Sequence, residues 1–73
     1  MTYAVEQRLR MVDFLLAHYG TVNRAALCDF FGISVPQASL DFRAYLDLAP
    51  LNMRYDAQAK TYRRGERFVR QYP

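Results

Sequence analysis

Asn23–Phe42 reads NRAALCDFFGISVPQASLDF, and the fold follows from this stretch. Asn23 suits a helix N-cap, because its side-chain oxygen can accept from an amide two or three residues on. Leu27, Phe30 and Phe31 supply the apolar side of a helix over roughly residues 24–31, which Gly32 stops. A second helix starts almost at once. Ser34 suits its N-cap, and Gln37 three residues later gives a capping-box pattern. Pro36 falls in the first turn, where a missing N–H costs little. Val35, Ala38, Phe42, Tyr45, Leu46 and Ala49 share one face of this helix, and Pro50 ends it. Between the two helices Gly32 permits the positive φ that a sharp turn needs. Ile33 anchors that turn in the core, while the small residues Cys28 and Ala38 let the helices approach closely. These are the steric demands of a helix-turn-helix.

Other three-helix domains also contain glycine turns, so the flanking sequence matters. Upstream, Val5, Leu9, Val12, Leu16 and Tyr19 recur at helical spacing, with Leu15 widening the stripe. The pattern predicts a first helix over residues 3–19, with Glu6, Arg10 and Asp13 on its outer side and Gly20 as its cap. Thr21 and Val22 are β-branched and suit a short extended segment. Downstream of Pro50 the period changes from 3.6 to 2. Leu51, Met53 and Tyr55 alternate with Asn52 and Arg54, a polar stretch runs from Asp56 to Lys60, and Thr61, Tyr62 and Arg63 resume a strand. This predicts a β-hairpin with a loop of about four residues, closed by Gly65. The order α-α-α-β-β is a mainly α, α+β winged helix-turn-helix: three helices followed by a hairpin wing. A basic tail follows over residues 65–73.

The 73 residues are expected to form one domain. Cys28 is the only cysteine and His18 the only histidine, which excludes an internal disulfide and a His/Cys zinc site. Cys28 reads as a small hydrophobe, and His18 as a surface residue or a partner of the helix dipole. No catalytic triad, carboxylate pair, phosphate loop or metal cluster is visible, so no enzymatic activity, cofactor or metal is expected. No apolar run reaches the length of a membrane span, and a lone thiol fits the cytoplasm. The net charge of +3 is unevenly spread: residues 1–53 carry −1 and residues 54–73 carry +4.

A basic wing beside a helix-turn-helix implies double-stranded DNA as the partner. With Ala38 and Phe42 inward, Pro36, Gln37, Leu40, Arg43, Ala44 and Asp47 face outward. Of these, Pro36, Gln37, Leu40 and Arg43 are the candidates for base contact. Gln37 can pair with adenine, or else serve only the capping box. Arg43 can pair with guanine or a phosphate, and Leu40 can meet a thymine methyl. Ser34 and Ser39 at the helix start, and Arg54, Lys60, Arg63 and Arg64 on the wing, are the candidates for the phosphate backbone. Tyr55 and Tyr62 read as a cap on a small core, although aromatics among arginines can also stack on single-stranded bases. The alternative to DNA is a winged helix used for protein–protein contact, for which Leu40 with Ala44 is the apolar hint.

FGISVPQAS at Phe31–Ser39, followed by Asp41, and LNMRYDAQAKTYRR at Leu51–Arg64 carry a further signal. Together they resemble the N-terminal winged-helix domain of bacterial WYL-domain transcriptional regulators, in particular the group encoded beside phage-defence systems. The resemblance covers most of residues 20–68. It implies a homodimeric repressor of palindromic operators in which a ligand-sensing domain follows the winged helix. That sensing role is not carried over to these residues, which are expected to be either an excised domain or a free-standing relative.

One recognition helix reads too few base pairs for a unique genomic address. A symmetric dimer on an inverted repeat, acting at the nucleoid, is therefore expected. Tyr3 on the first helix and Phe68 and Tyr72 in the tail are the candidate dimer contacts; the alternative is that these aromatics simply fold back onto the first helix.

Overall fold

The computed structural model describes residues 2–73. Its elements are α1 (Tyr3–Tyr19), β1 (Thr21–Val22), α2 (Arg24–Phe31), α3 (Val35–Leu48), β2 (Met53–Asp56) and β3 (Thr61–Arg64). Each helix start is capped by a side chain. Thr2, Asn23 and Ser34 accept from the amides of Val5, Ala26 and Gln37. Gly32 is left-handed at φ 66°, and its N–H closes α2 on the Cys28 carbonyl at 2.8 Å.

The sheet has one strand more than a hairpin. Thr21 and Val22 pair antiparallel with Arg63 and Tyr62, so the order is β1-β3-β2. In the hairpin itself Arg54 lies opposite Arg63 and Tyr55 opposite Tyr62. The short β1 covers the free edge of β3 and ties the wing to the helices. Thr61 adds a side-chain bond to the Val22 carbonyl at 3.1 Å.

Leu9, Val12 and Leu16 of α1, Leu27 of α2, and Ala38, Phe42 and Tyr45 of α3 form the core with Val22 and Met53. Full burial of a leucine or phenylalanine contributes about 1.5–3 kcal/mol. Tyr62 brings the sheet onto this core by stacking on Phe42 at 4.5 Å, and Tyr55 meets Tyr62 edge-on at 4.9 Å.

Several positions differ from the sequence reading. Asp13 is fully buried rather than outward. It lies four residues after Leu9 and three before Leu16, so it falls on the core face, and its charge is met there. Tyr19, at the edge of the same face, is 72% exposed because α1 ends at the next residue. Phe30 and Val35 are exposed as well: Phe31 turns to the core in place of Phe30, and Val35 stands at the very start of α3. The alternation after Pro50 is inverted at its first step, with Leu51 exposed and Asn52 buried.

Asn52 turns inward because it mimics a strand partner for residues that sequence reading left as a tail. Its Oδ1 accepts from the Val69 amide at 3.0 Å, and its Nδ2 donates to the Val69 carbonyl at 2.7 Å and to the Tyr45 hydroxyl at 2.9 Å. Gly65 makes the return possible. A Cβ there would lie 2.2 Å from the Leu51 carbonyl oxygen, so the backbones touch where only glycine fits. The segment then runs back over α1. Phe68 and Tyr72 pack on the core and are not free at the chain end.

Asp13 holds this segment in place. It accepts from the Tyr45 hydroxyl at 2.6 Å, from Arg70 Nε at 2.8 Å, and from the amides of Gln71 and Tyr72 at 3.0 Å. Burial by itself raises a carboxyl pKa, but these hydrogen bonds outweigh it and hold Asp13 below the ordinary carboxylate value. The Tyr45 phenol is pushed up by burial and by its bond to Asp13.

Candidate nucleic-acid interface

The helix-turn-helix is built by α2, the turn at Gly32 and α3. Ala38 and Phe42 are buried against α1 and α2, which turns the opposite side of α3 outward. Pro36, Leu40, Arg43 and Asp47 are exposed there, Leu40 at 60%. Among the described residues Arg43 makes no ion pair, although Asp47 lies one turn away on the same helix. A guanidinium with five donors and no internal partner beside an exposed leucine and a proline suits an edge that reads bases.

Gln37 stands apart from this group. Its backbone amide completes the Ser34 cap at 3.2 Å, but its side chain does not bend back to finish a capping box. The carboxamide instead donates through Nε2 to Asp41 Oδ1 at 3.1 Å. Asp41 is 1% exposed, and Arg8 of α1 reaches it through Nε at 2.5 Å and Nη2 at 3.3 Å. In the sequence Asp41 stands out only as part of a motif, and Arg8 carries no local signal. Their signal is a charge of each sign on faces that turn toward one another, visible only once α1 and α3 are docked. Ser34 is spent on the cap, and Ser39 is half-buried on the flank of α3.

The wing arginines divide. Arg54 and Arg63 lie directly opposite each other on the outer face of the hairpin, a like-charge placement that costs free energy without an anion nearby. Arg63 is partly neutralised by Asp56 at 2.7 Å. That bond, with the amides of Ala59 and Gln58, holds the half-buried Asp56 carboxyl below its ordinary value. Lys60 sits at the loop with a left-handed φ of 54°, its side chain exposed. Arg64 points the other way. Its guanidinium donates to the carbonyls of Leu16 at 3.2 Å and Ala17 at 2.9 Å, capping the C-terminus of α1. The structure therefore brings together Pro36, Leu40 and Arg43 on one face and Arg54, Lys60 and Arg63 on the wing, and it places Arg64 in neither. Arg24 joins the wing from α2, lying over the Tyr55 ring at 5.9 Å, a contact that sequence reading missed.

Residues 4–72 match the family described as the BrxR transcriptional regulator winged helix-turn-helix domain. The chain belongs to this family. Among curated proteins it is 50% identical over 68 residues to a DNA-binding transcriptional repressor CapW of Pseudomonas aeruginosa. It is 51% identical over 63 residues to one of Escherichia coli, and 43% over 56 residues to one of Stenotrophomonas maltophilia. These matches cover 93%, 86% and 77% of the chain but only 23%, 21% and 19% of the relatives. The chain thus spans about a fifth to a quarter of their length. The winged-helix expectation holds, with β1 as an added third strand. No helix among the described residues is long and apolar enough to cross a membrane.

Proposed function

We propose that this chain is the sequence-specific, double-stranded DNA-binding domain of a transcriptional repressor, acting at the nucleoid in the cytoplasm and without enzymatic activity of its own. The observation that carries the reading is the outward face of α3. It presents Pro36, Leu40 and Arg43, which has no ion pair among the described residues, in a helix-turn-helix frame whose relatives are named DNA-binding transcriptional repressors. In this arrangement α3 lies in the major groove, with Gln37 and Arg43 at base edges. Arg54, Lys60 and Arg63 meet phosphates, and Ser34 and Ser39 at the helix start lie nearest the backbone. Two copies bind an inverted repeat. Because Phe68 and Tyr72 are engaged in the core, the dimer contact of such a pair falls to α1, where Tyr3 is exposed.

Selection of duplexes from a random pool, followed by anisotropy titrations in several salt concentrations, tests this. The expected result is a preferred duplex whose binding falls linearly in log K against log salt, and weaker binding to a single strand of the same sequence. Leu40, exposed on this face, favours a second reading, a protein-binding module, although Ala44, expected beside it, packs against the core instead. Absence of any duplex preference, with no salt slope, would select that reading.

A further inference from the structure

Building on the DNA-binding reading, we infer that Asp41, anchored by Arg8, is a positioning residue that sets the carboxamide of Gln37 for adenine and against guanine. An ionised carboxylate can only accept hydrogen bonds. Of the two ends of the Gln37 carboxamide, only the NH2 end can therefore face Asp41, and the amide orientation follows from chemistry. Oε1 and the second N–H of Nε2 are left as the free edge. That edge offers one acceptor and one donor, the pattern complementary to the N6 donor and N7 acceptor of adenine in the major groove. Guanine offers two acceptors there, N7 and O6, so Oε1 would meet an acceptor.

A glutamine without this tether turns its amide over and offers a donor to either base. The tether removes that choice before DNA arrives, so rotamer freedom is lost in the free protein and not on binding. Asp41 is suited to hold the amide because it is almost wholly buried and Arg8 fixes both its oxygens, Oδ2 through Nε and Oδ1 through Nη2, from a side chain itself only 11% exposed. Gln37, in the first turn of α3, is at the end of the helix that leads into the groove in helix-turn-helix proteins.

The test uses the whole chain and its selected duplex, with each base pair of one half-site replaced in turn. Gln37→Met keeps the side-chain length and leaves the Arg8–Asp41 pair intact. It is expected to lose preference at one A·T pair, with adenine-over-guanine discrimination there falling by about fivefold to a hundredfold. Asp41→Asn, checked for folding by circular dichroism, is expected to reduce discrimination at that same pair while leaving affinity for random duplex and the salt slope unchanged. In case Asp41→Asn fails to fold, the side-chain amide protons of Gln37 are followed by NMR in the free wild-type protein. Dispersed resonances with a restricted carboxamide support the tether, and averaged, solvent-like resonances overturn it. Wild-type base preference in Gln37→Met, or in folded Asp41→Asn, overturns it too. A wild-type protein that binds no duplex overturns the DNA reading instead, which the amide resonances distinguish from failure of the tether.

Discussion

The two sides of α3 are built on opposite principles. Its inner side ends in Tyr45, whose hydroxyl donates to Asp13 and accepts from Asn52, and Asp13 draws in Arg70 and two backbone amides as well. Among the described residues no buried side-chain polar atom lacks a partner. Its outer side leaves Arg43 without an ion pair among the described residues and Leu40 in solvent. Burying an unpaired polar group costs about 1–3 kcal/mol, whereas an exposed one is free to wait for a ligand. One helix thus separates the residues that hold the domain from those that meet a partner, and substitutions on the two sides should affect different measurements.

The sharpest break is on the inner side. Asp13→Ala removes the acceptor of Arg70 Nε, of the amides of Gln71 and Tyr72, and of a buried phenol. A loss of more than about 3 kcal/mol is expected in denaturant titrations, which is a large fraction of the stability of a domain this size. A loss under 1 kcal/mol would show that water replaces these partners. The same group predicts the acid limb. Its folded pKa lies below the ordinary 3.8, so its contribution is fully present above that value and disappears as pH falls through the lower folded one. Stability measured from pH 5 to pH 2 should fall in this window, and the Asp13→Asn variant should show a shallower fall.

On the outer side the prediction reverses. Arg43→Ala should leave the denaturant midpoint unchanged within error while weakening the selected duplex by about 1–3 kcal/mol and relaxing one base step. Equal losses on selected and random duplexes would move Arg43 from a base to a phosphate. Between the two lies the turn that joins them. Gly32→Val should cost more than about 1 kcal/mol of stability, because a β-branched residue is forced to φ 66°. A Cβ there meets nothing within 4 Å, so the loss would measure backbone strain alone. An unchanged midpoint would mean that the turn relaxes to another conformation.

Local patterns made the helices and the hairpin legible, since caps, periods and turn glycines act within a few residues. Asn23, Ser34 and Gly32 each do what their neighbours in sequence imply. The apolar side of α3 was legible for the same reason, and so was the exposure of Leu40 and Arg43 opposite it. What escaped was every role assigned by a partner far along the chain. Asp13 reads as a surface charge until residues 70–72 lie across it. Asn52 reads as an outward polar residue until Val69 needs a strand partner, and Asp41 is unremarkable until Arg8 arrives from α1. The tail illustrates the same limit, because its arginines raised the local charge while the bonds holding Arg70 to Asp13 were invisible.

The smallest effect separates Arg63 from Arg64, neighbours of the same type on one strand. Side chains alternate along β3, so Arg63 emerges on the outer face opposite Arg54, and Arg64 passes under the end of α1 to the carbonyls of Leu16 and Ala17. A phosphate approaching the wing meets Arg63 and has to compete with Asp56 for it. Arg63→Ala should therefore make the salt dependence of duplex binding shallower by about one unit. Asp56→Asn, which releases Arg63, should tighten binding at low salt. Arg64→Ala should leave the slope unchanged and instead lower stability by about 1 kcal/mol, the ordinary scale for a charged group at a helix C-terminus. The measurement is a titration series over salt for the three variants, paired with thermal melts. Equal slope changes for Arg63→Ala and Arg64→Ala would mean that Arg64 leaves its carbonyls for the duplex, and the division of the wing into a binding arginine and a capping arginine would fail.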